Sequence, residues 1–367
     1  MIMDKCMAAV FTGAGRPLEI QEFPILPIER GGALVQMQMA AICGTDVHAS
    51  HLDTTPAPTI FGHENIGILA EISPEIKTDV LGQDLKIGDR VIFRDAPCGR
   101  CFQCSMGESC QHSKSYGMLK STEAPHLRGG FGQYLQLAAT PWLLRVPDDL
   151  SNERALLSVI GNHTCLNGIE RIGGINSADT VVVQGSGPIG LGALNQSLIG
   201  GAANVIVIGA PESRLELSTR LGATQTVSLA EYPTPESRVE RIKELTQGRG
   251  ADLVIEASGG LTAFQEGLEM VRFGGRYLVI GQWTDYGLLS ANPALLTRKV
   301  IRVQGVFSAG PRHIIRSMQS MRSIVNRPVE ELITHRYELK GVNEGFEAHE
   351  KLEAMVAVIL PNGEPAN

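Results

Sequence analysis

Nowhere in its 367 residues does the sequence gather a run of basic residues, and its formal net charge is −7. A general nucleic-acid binder needs clustered lysine and arginine to neutralise phosphates, so nucleic acid is not an expected partner. Long apolar runs are missing too. None approaches the ~20 residues of a membrane span, and no membrane partner is expected. The N-terminus lacks a basic stretch leading into an apolar core, the mark of a secretory signal, so the expected compartment is the cytoplasm. There is no internal repeat and no low-complexity segment. What is present is an ordinary globular composition, 43% hydrophobic and 19% charged, in a chain long enough for two separate cores.

The seven cysteines are unevenly spread, at 6, 43, 98, 101, 104, 110 and 165. Four of them crowd into 98-CGRCFQC-104 and Cys110. In a long chain kept in a reducing compartment, tight C-x-x-C spacing points to metal rather than disulfides. Cys98, Cys101, Cys104 and Cys110 can close a tetrahedral zinc shell with no open position, which is a structural site; His112 is a lesser candidate.

Residues 1 to about 157 read as β-rich and irregular, with short β-forming runs such as 33-ALVQMQMAAI-42 and 66-IGILAEI-72 punctuated by Gly and Pro. From about 158 to 305 apolar strands alternate with helical stretches. The strands are 180–185, 204–209, 224–229, 252–258, 276–281 and 300–306; helices are expected at 188–199, 212–221, 236–245 and 262–272, with Gly222 and Gly248 at helix C-caps. Six such strands with crossover helices predict a doubly wound parallel sheet in an α/β fold. Residues 306–367 return to mixed elements, including a helix at 344–355, and are expected to rejoin the first domain.

The first strand of the alternating region runs into 185-GSGPIG-190 and then a helix. In a G-x-G-x-x-G loop, Gly185 permits the tight turn, Gly187 lets backbone approach a pyrophosphate, and Gly190 allows close helix–strand packing. The helix N-terminus, begun by Pro188 and Ile189, offers unpaired N–H groups to the phosphate. Gly281 closes another strand at the same edge of the sheet. An acid that binds a ribose hydroxyl usually ends the second strand. Gly209 and Ala210 stand there instead, with Ser213 and Arg214 just beyond, either to hold a 2′-phosphate or as solvated helix residues. The dinucleotide is therefore expected to be NAD(P), with a lean to NADP.

A second metal constellation is 43-CGTDVH-48 with 62-GHE-64. A catalytic zinc takes about three protein ligands and keeps one open position. Cys43 and His63 are the first candidates, and Asp46 is placed either to fix the free nitrogen of His63 or to cap a turn.

These motifs, with 88-GDRV-91, 129-GGFGQY-134 and 146-VPDDL-150, run in the order of the zinc-containing medium-chain dehydrogenase/reductase family of alcohol, sorbitol and threonine dehydrogenases, and the chain resembles that family over nearly its whole length. The resemblance implies a GroES-like catalytic domain, 1–157 and 306–367, carrying a structural zinc lobe at about 95–115, around a Rossmann domain at 158–305. It implies one catalytic and one structural zinc, a homodimer or homotetramer, and hydride transfer between a small-molecule alcohol and NAD(P) that interconverts alcohol and aldehyde or ketone. Glu64 matches the acid that either ligates zinc or acts from behind it. Thr45 matches the hydroxyl that passes on the alcohol's proton, and His48 the outer member of that relay.

Three departures stand out. The third zinc ligand falls within 158-SVIGNHTC-165, where the alignment meets Asn162; His163, Cys165 and Glu64 are the alternatives, with His163 favoured. The gap before Cys110 is shorter than in relatives. Ala357 stands where relatives often carry a basic residue near the cofactor phosphates. For the substrate, Arg94 lies where relatives often place an apolar pocket wall, and 305-GVFSAGPRHI-314 resembles a phosphonate-associated subgroup. A small phosphonate- or carboxylate-bearing alcohol is the first expectation. The alternatives are a neutral secondary alcohol, polyol or terpene-type alcohol, and a catalytically impaired binding protein of the same fold.

Overall fold

A computed structural model describes residues 4–106, 108, 110–113, 115–282 and 287–364; residues 107, 109 and 114 of the cysteine lobe lie outside this set. The chain divides into two compact units, 1–159 with 332–367, and 160–331.

In the first unit, Ala33–Ile42 is the central strand of the larger sheet, and most of its residues are buried. It pairs antiparallel with Glu64–Ile72, Tyr134–Leu137 and Val356–Leu360. Ile333–Glu338 lies parallel to Val356–Leu360 at one edge, and Arg90–Arg94 and Trp142–Arg145 extend the other. A smaller sheet joins Lys5–Phe11 to Glu19–Pro24 and Thr59–Ile60. The last strand pairs Ala357 with Ile42, and Ala357 is fully buried. The helix expected at 344–355 is Val342–Glu350.

The second unit holds six parallel strands: β1 Thr180–Gln184, β2 Asn204–Gly209, β3 Gln225–Ser228, β4 Ala251–Glu256, β5 Val271–Val279 and β6 Arg302–Gly305, in the order β3-β2-β1-β4-β5-β6. Val181, Val182 and Val183 of β1 are all fully buried, as a strand covered on both faces demands. The helices are α1 His163–Arg171, α2 Pro188–Ile199, α3 Glu212–Leu221, α4 Pro235–Leu245, α5 Ala263–Met270, α6 Ala294–Arg298 and α7 Pro311–Ser323. Gly222 ends α3 in the left-handed region at φ 112°. After α4 that conformation falls on Gln247, at φ 54°, and on Gly248, the expected cap, at φ 79°; Gly248 donates its N–H back to Lys243 O at 2.7 Å.

The boundary that the sequence put at 305 falls at 331. The reason is polar bonding between residues 162–171 or α2 and the segment 306–323. Asn167 Nδ2 donates to Ser308 O at 2.8 Å, Asn162 Nδ2 to Ser317 Oγ at 2.7 Å, and Gln196 Nε2 to Ser320 Oγ at 3.0 Å. α7 carries an apolar stripe of Ile314, Met318 and Met321, all buried, but a stripe does not say which unit it packs against, so sequence periodicity could not assign α7 to this sheet.

Asp252 ties β4 to its neighbours. It accepts from Thr180 N at 2.8 Å, Arg249 Nη1 at 2.8 Å and Arg272 Nε at 2.6 Å. Burial pushes its carboxyl up, but Arg249, the Thr180 N–H and Arg272 outweigh that and bring it down to about 2. A depressed carboxyl stabilises the fold above its unfolded value, and the contribution is lost as pH falls from about 4 towards 2. Asp252→Asn is expected to cost about 1–3 kcal/mol at neutral pH and to flatten the acid limb of a plot of stability against pH. Urea melts between pH 3 and 7 would measure both.

Candidate active site and dinucleotide site

Cys43 follows the central strand and caps the helix Gly44–Ser50. Three residues on, Asp46 is fully buried and its carboxylate joins two distant segments. Oδ2 accepts the Cys43 N–H at 3.0 Å, and Oδ1 accepts from His63 Nδ1 at 3.1 Å and from the Gly62 N–H at 3.4 Å. This leaves Nε2 of His63 as the nitrogen available to a metal. Asp46 thus both caps the turn and orients the histidine.

Glycines set the second segment in place. A Cβ on Gly129 would lie 1.9 Å from Ile60 O, and one on Gly130 would lie 1.8 Å from Asn65 Oδ1. Asn65 Nδ2 in turn donates to Gly62 O at 3.0 Å. The run 129-GGFG-132 is therefore the bed on which 62-GHE-64 rests. Ligand atoms of Cys43, His63 and Glu64 all come within 4.8 Å of one another. Glu64 Oε2 is buried without a hydrogen-bond partner. Burial pushes Glu64 up to about 7 and raises Cys43 as well. Two acidic donors whose burial opposes their negative charge suit a cation, and one sulfur, one imidazole and one carboxylate suit zinc. Thr45 and His48 stand on the same short helix. Burial, helped by His51, lowers His48.

Cys98, Cys101, Cys104 and Cys110 also bring their sulfurs within 4.8 Å of one another. Backbone N–H groups point at these sulfurs: Cys104 N at Cys101 Sγ, 3.4 Å, and Cys98 N and His112 N at Cys110 Sγ, both 3.3 Å. Such donors favour thiolate, and Cys101 is brought down to about 6 by those from Cys104 and Gln111. The set fits a four-thiolate zinc. His112 contributes its backbone N–H there. Arg94 ends the strand Arg90–Arg94 opposite Trp142. Burial lowers its guanidinium, while the negative charge of Asp95 and of Cys110 acts the other way.

Of the alternatives for the third ligand, Asn162 is committed elsewhere. It is 1% exposed. Its Nδ2 donates to Ser317 and its Oδ1 accepts from Gln196 Nε2 at 3.1 Å, so both ends of the amide are used. Cys165 is fully buried, donates to Ile189 O at 3.2 Å, and is pushed up to about 12 by burial, as an inert packed thiol would be. His163 begins α1 in the second unit, whereas the three clustered donors belong to the first.

At the end of β1, Gly185 takes φ 113°. A Cβ on Gly190 would lie 1.9 Å from Gly185 O, so only glycine lets α2 begin so close to the turn. Around Gly187, the N-cap of α2, a Cβ would meet nothing within 4 Å; this is room for a ligand to reach the N–H groups that follow. Pro188 starts α2, while Ile189 packs inward, its Cδ1 2.5 Å from where a Cβ on Gly161 would be. At Gly209 a Cβ would lie 2.2 Å from Ser186 Oγ, and Ser186 Oγ donates to Ala210 O at 3.1 Å. The acid missing from the end of β2 is thus also sterically excluded. Ser213 is exposed and Arg214 half-buried in the first turn of α3. The Gly281 N–H donates to Glu256 O at 3.1 Å. Sequence reasoning missed Ser186, a variable position of the glycine motif, and Glu256, an acid ending the otherwise apolar 252-DLVIE-256.

A 3-2-1-4-5-6 sheet with a glycine loop in one unit, and two zinc-type donor sets in a β-rich other unit, define a zinc- and nicotinamide-dependent dehydrogenase. Residues 29–148 match the family model of the alcohol dehydrogenase GroES-like domain, and residues 188–323 that of the zinc-binding dehydrogenase. The chain is 34% identical to 5-exo-hydroxycamphor dehydrogenase of Pseudomonas putida, with 94% of this chain and 96% of the relative covered. It is 29% identical to L-threonine 3-dehydrogenase of Bacillus licheniformis, covering 98% and 100%. The crystal structure of an alcohol dehydrogenase from Thermotoga maritima superposes with a TM-score of 0.92 at 31% identity, covering 98% of this chain and all of that one. The chain belongs to the zinc-containing medium-chain alcohol dehydrogenase family.

Because Asn162 serves packing, Asn162→Ala is expected to lower stability by about 1–3 kcal/mol and to leave zinc content per folded chain unchanged. Thermal melts with elemental analysis would check this; loss of zinc would contradict it.

Proposed function

We propose that this dehydrogenase interconverts a neutral secondary alcohol and its ketone, using a catalytic zinc held by Cys43, His63 and Glu64. The observation that carries the site is the cluster of these three donors around the buried Asp46 carboxylate. Zinc supplies Lewis acidity at the hydroxyl, and the nicotinamide supplies the hydride acceptor. Asp46 fixes the tautomer of His63. Thr45 takes the proton from the substrate hydroxyl, and His48, lowered by burial and so neutral near pH 7, passes it to solvent. Cys98, Cys101, Cys104 and Cys110 hold the structural zinc.

A neutral substrate is favoured over an anionic one because Arg94 already stands within the field of Asp95 and Cys110, which opposes recruitment of a second anion. The 34% identical relative named for hydroxycamphor supports a terpene-type alcohol. Gly187, Pro188 and Gly190 present the helix N-terminus to the pyrophosphate. Ser186, by forbidding a carboxylate at Gly209, and Arg214 support NADP over NAD. A homo-oligomer in the cytoplasm is part of this reading; the cysteine-rich metal sites suit a reducing compartment.

Two measurements test it. Glu64→Ala is expected to lose about one zinc per chain and to lower kcat/KM by at least about 100-fold, whereas His163→Ala keeps its zinc; the reverse pattern would assign the third ligand to His163. With cyclic terpene alcohols, Arg94→Ala is expected to leave KM within about twofold, and kcat/KM to be higher with NADP than with NAD. A Michaelis constant for a phosphonate- or carboxylate-bearing alcohol that rises about tenfold or more in Arg94→Ala would restore the anionic substrate.

A further inference from the structure

Glu256 ends β4 and is fully buried; the chemistry above does not use it. One oxygen, Oε1, accepts three hydrogen bonds: from Ser258 N at 2.8 Å, Ser258 Oγ at 2.8 Å and Gly259 N at 2.7 Å. The other, Oε2, has no hydrogen-bond partner among the described residues, and none of their cationic side chains forms an ion pair with it. Oε2 lies 2.8 Å from the point where a Cβ on Gly281 would stand. The backbone O of Glu256 accepts the N–H groups of Ile280 and Gly281 at 2.9 and 3.1 Å. The loop it holds meets the glycine turn directly, since a Cβ on Gly185 would lie 2.9 Å from Ala257 O. The carboxylate therefore sits where the C-terminal ends of β1, β4 and β5 converge.

A buried carboxylate without an opposing cation is costly, and a native fold that keeps one has a reason for it. In a sheet of this order a dinucleotide crosses the switch between β1 and β4, with its pyrophosphate at the helix that follows β1. The adenosine end then belongs to the β2 side, with Gly209 and Arg214. The nicotinamide end belongs to the β4–β5 side, with Glu256 and Gly281. The oxidised nicotinamide ring is a cation and the reduced ring is neutral.

We propose that Glu256 is a positioning residue whose unbalanced buried charge makes this protein bind the oxidised dinucleotide more tightly, relative to the reduced one, than its contacts alone would. The inference rests on the dinucleotide reading of the Gly185–Gly190 loop. It adds a selectivity between redox forms that a purely structural clamp would not produce, because loosening the 257–260 loop weakens both forms alike.

The test is to titrate the zinc-loaded protein with oxidised and with reduced dinucleotide, by calorimetry, and to compare the ratio of the two dissociation constants. In Glu256→Gln, which keeps the shape and an acceptor oxygen, the oxidised form is expected to weaken by about fivefold to tenfold relative to the reduced form. Ser258→Ala removes one bond to Oε1 but keeps the charge, so both forms weaken together and the ratio stays. Should Glu256→Gln fail to fold, Glu256→Asp retains the charge and is expected to hold the ratio within about twofold. An unchanged ratio in Glu256→Gln overturns the proposal, as does a collapsed ratio in Ser258→Ala or Glu256→Asp. Failure of the unaltered protein to bind either form overturns the dinucleotide reading and this inference with it; binding with an unchanged ratio removes this inference alone.

Discussion

The buried Asp46 carboxylate is the interaction on which the first unit's site depends. It accepts from the Cys43 N–H, the Gly62 N–H and the His63 ring, so one side chain sets the position of a turn, a strand entry and an imidazole. A charged acceptor of N–H groups is worth more than a neutral one. Burial keeps water from competing for it. The sulfur, the ring and the neighbouring Glu64 then converge because their backbones are fixed from behind.

Elsewhere the chain achieves close approach by leaving side chains out. Gly129 and Gly130 lie flat against Ile60 and Asn65, Gly190 against Gly185, and Gly209 against Ser186. Only some of these glycines concern backbone conformation; Gly185 is one, at positive φ. The others are spatial, and at Gly209 the spatial constraint has a chemical result. The serine that fills the gap leaves no room for a side chain, a carboxylate included, at the last residue of β2.

Features local in the chain were legible before the fold was known. The four clustered cysteines, the glycine loop and the six apolar strands could be read because each is a pattern of spacing within about 15 residues. Features that depend on which distant segment lies opposite could not. Asn162 aligned with a metal ligand, yet its partners are Ser317 and Gln196, and no spacing announces a hydrogen bond across 155 residues. The same bonds moved the unit's end from 305 to 331. Glu256 was passed over because an acid closing an apolar strand reads as the strand's solvated end, whereas the turn that follows folds back over it.

The strand Val356–Leu360 pairs with Ala33–Ile42 across more than 300 residues of chain. During synthesis on the ribosome, residues 160–331 can emerge and fold as their own unit while the partner of the central strand is still unmade. Until then the edge of Ala33–Ile42 that takes Val356–Leu360 carries open N–H and C=O groups, which invite pairing with another nascent chain. The last strand therefore acts as a closing stitch. Synthesis of residues 356–360, not of the strands nearer the start of the chain, sets the earliest moment at which the larger sheet is complete.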